Sequence, residues 1–99
     1  MQNLVRDFIT KYNLQTDKTV RYIDLTSEIG ELGKEILKST DYGKKDFILN
    51  DKAIEEIGDC IFSLLALTEI MGIDGEDALL KVLCKYESRF SQKGNISSD

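Results

Sequence analysis

Glu55-Glu56-Ile57-Gly58-Asp59-Cys60-Ile61-Phe62-Ser63-Leu64-Leu65-Ala66-Leu67 is the stretch that decides the fold. From Cys60 to Leu67 it carries no charge on any helical face, so a helix here is apolar all round and both of its faces need cover. Asn50 or Asp51 starts this helix and it lasts to about Met71, where Gly72 provides the stop. Its main apolar stripe reads Ile54, Ile57, Ile61, Leu64 and Leu65, with Glu56 and Asp59 pointing away from it.

Three further helices flank this one. Leu4, Val5, Phe8, Ile9 and Tyr12 recur at three- and four-residue intervals, which predicts a first helix over about residues 2 to 13. Thr16 or Asp17 caps a second, with the stripe Ile23, Leu25, Ile29, Leu32, Ile36 and Leu37, ending near Ser39. Residues 40 to 49, with Asp41, Gly43 and a Lys-Lys pair around Tyr42, form the longest loop. Asp74, with Asp77 three residues later, caps a fourth helix carrying Ala78, Leu79, Val82, Leu83, Tyr86 and Phe90. The fold class is therefore all-α, a four-helix bundle occupying residues 1–90, followed by a polar tail, 91–99, that contains Gly94. Four helices of this size cover one face of the apolar third helix. The other is a natural subunit interface, symmetric in a homodimer, so assembly into at least a dimer is expected.

With 99 residues, 41% of them hydrophobic, the chain builds one domain without disulfide or metal staples. Its net charge is -5 and its basic residues are interleaved with acidic ones, the wrong footprint for a nucleic-acid polymer. No run approaches the roughly 20 apolar residues that span a bilayer, and the start lacks the apolar core of a signal peptide, so a cytoplasmic protein without a membrane partner is expected. Cys60 and Cys84 both sit in apolar helical patterns, which predicts reduced, buried thiols.

Two acid pairs stand out. Glu28 and Glu31 lie three apart on the second helix, and Glu56 and Asp59 lie three apart on the third, so each pair projects from one side of its helix. With 18 acids in 99 residues, about three such pairs arise by chance, and the chain has three, Asp74 with Asp77 included, so context must decide. One contextual sign is that Glu56 and Asp59 run into an apolar region, where an unpaired carboxylate is costly; a divalent cation, a Lys or an Arg would relieve it. Another is Gly30, Gly33 and Gly58, each within helix and beside these acids, at a cost of about 0.8 to 1 kcal/mol relative to Ala. Close approach of two helix backbones around shared ions explains them; tight packing with solvated acids explains them as well. Oxygen-only ligands favour Mg2+, with Mn2+ as a substitute, and the absence of any histidine disfavours zinc and ordinary di-iron sites. Magnesium that keeps waters and shares phosphate oxygens points to phosphoryl or nucleotidyl chemistry.

The run Leu25-Thr-Ser-Glu28-Ile-Gly-Glu31-Leu, then Glu55-Glu56-Ile-Gly-Asp59-Cys-Ile-Phe-Ser-Leu-Leu-Ala-Leu, then Lys85-Tyr-Glu-Ser-Arg89-Phe resembles MazG-type nucleotide pyrophosphohydrolases over roughly residues 17 to 90. The resemblance implies a MazG-like bundle that hydrolyses a nucleoside triphosphate between its α and β phosphates, giving a monophosphate and pyrophosphate. It implies magnesium ligation by Glu28, Glu31, Glu56 and Asp59, one of which also orients or deprotonates the attacking water. Two or more ions would polarise the phosphate and neutralise the leaving pyrophosphate. Such activity serves house-cleaning or nucleotide-pool control, on deoxy or non-standard nucleotides among others, in a homodimer or a dimer of dimers.

Lys85 and Arg89, four apart on the fourth helix, match basic positions that help hold phosphates in the family; a solvated face pairing with Glu87 is the alternative. Glu35 and Asp24 extend the acidic side of the second helix, in outer-shell or surface roles, and Glu55 faces solvent. Phe8, Tyr12, Tyr22 and Tyr86 are read as core aromatics rather than base-stacking groups. The Tyr42 to Phe47 loop is read as a surface connection, with a lid as the alternative. A phosphoribosyl-ATP pyrophosphatase-like enzyme is a competing reading, weakened because its usual Ala-Asp-Leu-x-Tyr-His stretch is replaced by Gly58-Asp59-Cys60-Ile61-Phe62-Ser63. A non-catalytic helical interaction module that retains the fold is another.

Overall fold

The structure is a computed structural model that describes residues 1–93. Four helices follow one another: α1 (Gln2–Lys11), α2 (Lys18–Ser39), α3 (Asp51–Ile70) and α4 (Gly75–Lys93). No strand occurs among the described residues, and no helix there is long and apolar enough to cross a membrane. α4 continues three residues into the segment expected to be a polar tail; the remainder of that segment, 94–99, lies outside the described residues.

The helix ends follow local chemistry. Asp17 caps α2, its carboxylate accepting from Val20 N at 2.9 Å, and Asn50 caps α3, its side-chain oxygen accepting from Ala53 N at 2.9 Å. Asp74 accepts from the backbone N–H groups of Glu76 and Asp77 at the start of α4. Beyond α3, Gly72 adopts φ 69°, which lets Ile73 N donate to Thr68 O at 3.0 Å and closes the last turn. After α2 the left-handed turn is taken by Asp41, Tyr42 and Gly43 in succession, with Tyr42 N donating to Leu37 O at 2.7 Å.

α2 and α3 form the central antiparallel pair, and α1 lies on another side of α3. The α2 face in this seam is Arg21, Leu25, Glu28, Leu32, Glu35 and Ser39, spaced alternately four and three, and each is buried or half-buried. α3 meets it with Ala53, Glu56, Cys60, Ser63, Leu67 and Ile70. The small core under α1 joins Val5 and Ile9 to Ala66, with Phe62 and Leu65 packed against them. Gln2 ties the first helix to the start of the last, donating to Ile73 O and accepting from Gly75 N at 2.7 Å. A Cβ on Gly75 would fall 2.9 Å from that Gln2 oxygen, so a larger residue there would shift the flexible end of the Gln2 side chain.

Several expectations are corrected by this arrangement. The α3 stripe of Ile54, Ile57, Ile61 and Leu64 is exposed in the single chain, as are Ile23, Ile29, Ile36 and Leu37 of α2. α4 packs lengthwise on none of the other helices among the described residues, and Leu79, Leu80, Leu83 and Phe90 on it are exposed. Cys84 is exposed and Cys60 only half-buried, and Phe8, Tyr12 and Tyr22 are exposed rather than core, although Phe8 meets Phe62 edge-on at 5.9 Å. A Cβ at Gly30, Gly33 or Gly58 would meet nothing within 4 Å, so these glycines do not serve a close approach of α2 to α3; small Ala53, Ser63 and Ala66 occupy the buried side of α3 instead. One physical reason covers most of these differences: a chain whose fourth helix stands apart leaves the outer faces of α2 and α3 without a neighbour. The radius of gyration is 16.6 Å, against about 13 Å for a compact domain of 100 residues.

Candidate metal centre

The α2–α3 seam is apolar at Leu25, Leu32 and Leu67, but between them it brings carboxylates face to face. Ligand oxygens of Glu28, Glu56 and Asp59 all lie within 4.8 Å of one another. Glu28 comes from the middle of α2; Glu56 and Asp59 come from successive turns of α3, because three residues advance a helix by just under one turn. Glu56 is only 5% exposed, Glu28 half-buried and Asp59 exposed, so the group opens from the seam toward solvent at one side. Burial, followed by the negative charges of Asp59, Glu56, Glu31 and Asp24, pushes the Glu28 carboxyl above its ordinary value.

Glu31 lies outside this trio: its carboxylate is 3.6 Å from Lys34 Nζ on the well-exposed side of α2, near enough for its charge to act on Glu28. Glu35 is half-buried and accepts from Ser39 Oγ, which in turn accepts from Asn50 Nδ2 at 3.2 Å, so the cap of α3 is fastened to the end of α2 beside the site. Asp24 is 3.9 Å from the buried Arg21, whose guanidinium also donates to Leu14 O, and Glu55 is solvent-exposed as its offset from Asp59 implied. Lys85 and Arg89 ride on α4, away from the lengthwise packing of α2 on α3; Lys85 Nζ stands 5.4 Å from the centre of the Tyr86 ring. A separate cavity of about 610 Å³, between residues 1–3, Ile61, Leu64, Leu65 and the first turn of α4, does not include the three carboxylates in its walls.

Two further residues of α3 neighbour the site, and one of them, Lys52, escaped the reading of the sequence. Lys52 Nζ lies 3.0 Å from Glu56 Oε1, a contact foreshadowed by the i, i+4 spacing of the two residues. The Cys60 thiol, next to Asp59, is pushed up by burial and then by the charges of Glu28, Asp59 and Glu56, which keeps it a neutral thiol beside the acids.

The arrangement fits a hard divalent cation. Three oxygen donors within reach of one another repel when ionised, and a small doubly charged ion satisfies them together. The chain matches the MazG nucleotide pyrophosphohydrolase domain over residues 15–92, a span that contains the whole α2–α3 pair and nearly all of α4. It belongs to the MazG family. A curated relative, the uncharacterized protein YpjD of Bacillus subtilis (strain 168), is 36% identical over 66 residues, covering 66% of this chain and 60% of YpjD. The chain thus spans about 60% of the length of that relative. No solved structure matches it. Membership of the MazG family supports nucleotide pyrophosphohydrolase activity in general, and metal dependence is typical of the family.

Proposed function

We propose that this MazG-family chain hydrolyses nucleoside triphosphates between the α and β phosphates, releasing a nucleoside monophosphate and pyrophosphate, with Mg2+ held by Glu28, Glu56 and Asp59 and joined by Glu31. The observation that carries this reading is the meeting of carboxylate oxygens from α2 and α3 within 4.8 Å inside a family-matched span. Mg2+ bound there, or Mn2+ in its place, would polarise the scissile phosphate and lower the pKa of a bound water. The chain's own part is positional. Glu56, held in the seam, and Glu28, on the facing helix, fix two donors on rigid elements, and exposed Asp59 leaves the solvent side open to a polyphosphate. One carboxylate of the set also orients or deprotonates the attacking water. Lys85 and Arg89 bind phosphate oxygens of the substrate.

Self-association belongs to this reading, as a homodimer or a dimer of dimers. Its support is the exposed apolar surface on two helices, Ile57, Ile61 and Leu64 on α3 with Leu79, Leu83 and Phe90 on α4, together with the extended shape of the single chain. The role is house-cleaning or control of the nucleotide pool in the cytoplasm, with no nucleic-acid polymer and no membrane as partner.

The test is a panel of standard and modified ribo- and deoxynucleoside triphosphates, with phosphoribosyl-ATP included, assayed for pyrophosphate with and without magnesium. Turnover is expected only with the metal, and Glu56→Gln is expected to abolish it while circular dichroism stays helical. Full turnover by that variant would remove Glu56 from the site. Absence of pyrophosphate release from every substrate would overturn the activity.

A further inference from the structure

Glu56 and Lys52 are an unequal pair. The Glu56 side chain is 7% exposed and cannot leave the seam without moving α3, whereas the Lys52 side chain is 60% exposed and lies one turn nearer the start of the helix. A lysine stem of four carbons can swing its ammonium between an anion at the seam and bulk water, while the buried anion stays where the helix puts it. Asn50, which caps α3 and is tied through Ser39 to Glu35, holds the helix start that carries Lys52 against the end of α2.

We propose that Lys52 is the built-in counter-cation of the carboxylate group: its ammonium neutralises Glu56 when the chain holds no divalent ion and must withdraw from that carboxylate for Glu56 to act as a ligand. The inference rests on the metal-site reading above and adds a residue that positions Glu56. Lys52 and the metal then compete, and because coupling between two binders of one group is reciprocal, the same contact that supports the metal-free fold weakens metal binding. Removing the ammonium has two opposite effects. The fold without metal loses the partner of a buried acid. The metal gains a carboxylate that no longer has to be released from another cation.

The experiment is a titration of the 99-residue chain with Mn2+ in the absence of nucleotide, the free ion being counted by electron paramagnetic resonance, alongside thermal melting in EDTA. Wild type is compared with Lys52→Gln, Lys52→Arg and, to control for net charge, Lys81→Gln on α4. Lys52→Gln is expected to bind Mn2+ roughly 5-fold tighter or more and to melt lower in EDTA, with Lys52→Arg and Lys81→Gln close to wild type in both. Lys52→Met, which keeps most of the stem, repeats the measurement should the glutamine variant misfold. Binding by wild type with no gain in the Lys52 variants beyond that of Lys81→Gln overturns the role of Lys52 and leaves the metal site standing. No Mn2+ binding by any of the proteins at millimolar ion overturns the site and this inference together.

Discussion

Glu28 sits among like charges, and that has a consequence for stability. Its carboxyl is raised by burial first and by Asp59 and Glu56 next, so the folded chain holds this proton more tightly than the unfolded chain does. The folded state then binds more protons through the window, and stability falls as pH rises. The contribution is fully present below the ordinary value of 4.5 and is lost as pH climbs through the raised one. Glu28→Gln removes the charge and keeps the shape. In EDTA it is expected to melt higher than wild type at pH 7.5 and to lose most of that advantage near pH 4, as followed by circular dichroism. Saturating magnesium is expected to reverse the order at pH 7.5, since wild type alone then gains the ligand's binding energy. A variant that melts below wild type in EDTA at pH 7.5 would show that Glu28 is satisfied by groups of the chain itself rather than by a metal ion.

At the scale of elements, the start of α3 carries two duties. Asn50 caps the helix by accepting from Ala53 N and joins it to α2 by donating to Ser39 Oγ. Asn50→Ala is expected to lower stability by about 1 kcal/mol or somewhat more, since the cap and the interhelix bond are lost together. Urea unfolding measures it, and a change of a few tenths would mean that water replaces both bonds. Gly33 is the opposite case, an exposed glycine inside α2 where an added methyl meets nothing within 4 Å. Gly33→Ala is expected to stabilise the chain by about 0.8 to 1 kcal/mol, read as a higher thermal midpoint. A loss of stability there would reveal a neighbour pressed against that face of α2.

At the scale of the whole molecule, the described chain is 44 × 39 × 22 Å across, and its apolar α3 and α4 faces look outward. Light scattering at micromolar concentration is expected to give at least twice the 11.2 kDa of one chain. Ile61→Glu combined with Leu83→Glu is expected to reduce that mass to one chain, because each places a charge where apolar surface must be covered. A wild-type monomer at that concentration would refute self-association.

What could be read from residues alone was whatever depends on near neighbours. Caps at Thr16 or Asp17, at Asn50 or Asp51 and at Asp74, the stop at Gly72 and the three-residue spacing of each acid pair are set by hydrogen bonds and geometry spanning a turn or two, so helix limits to within a residue or two and the family motif were legible, and the structure chose Asp17 and Asn50. The inward faces were not. The α2 stripe of Ile23, Leu25, Ile29, Leu32, Ile36 and Leu37 mixes half-buried Leu25 and Leu32 with four exposed residues, and a second, half-polar face, Arg21, Leu25, Glu28, Leu32, Glu35 and Ser39, competes with it. Only the packing of α2 on α3 decided that the second face turns inward, that Glu28 meets Glu56 and Asp59 without Glu31, and that Lys52 answers Glu56. The physical reason is that burial belongs to pairs of surfaces: a helix with two candidate faces takes its orientation from what stands opposite, and that lies far away along the chain.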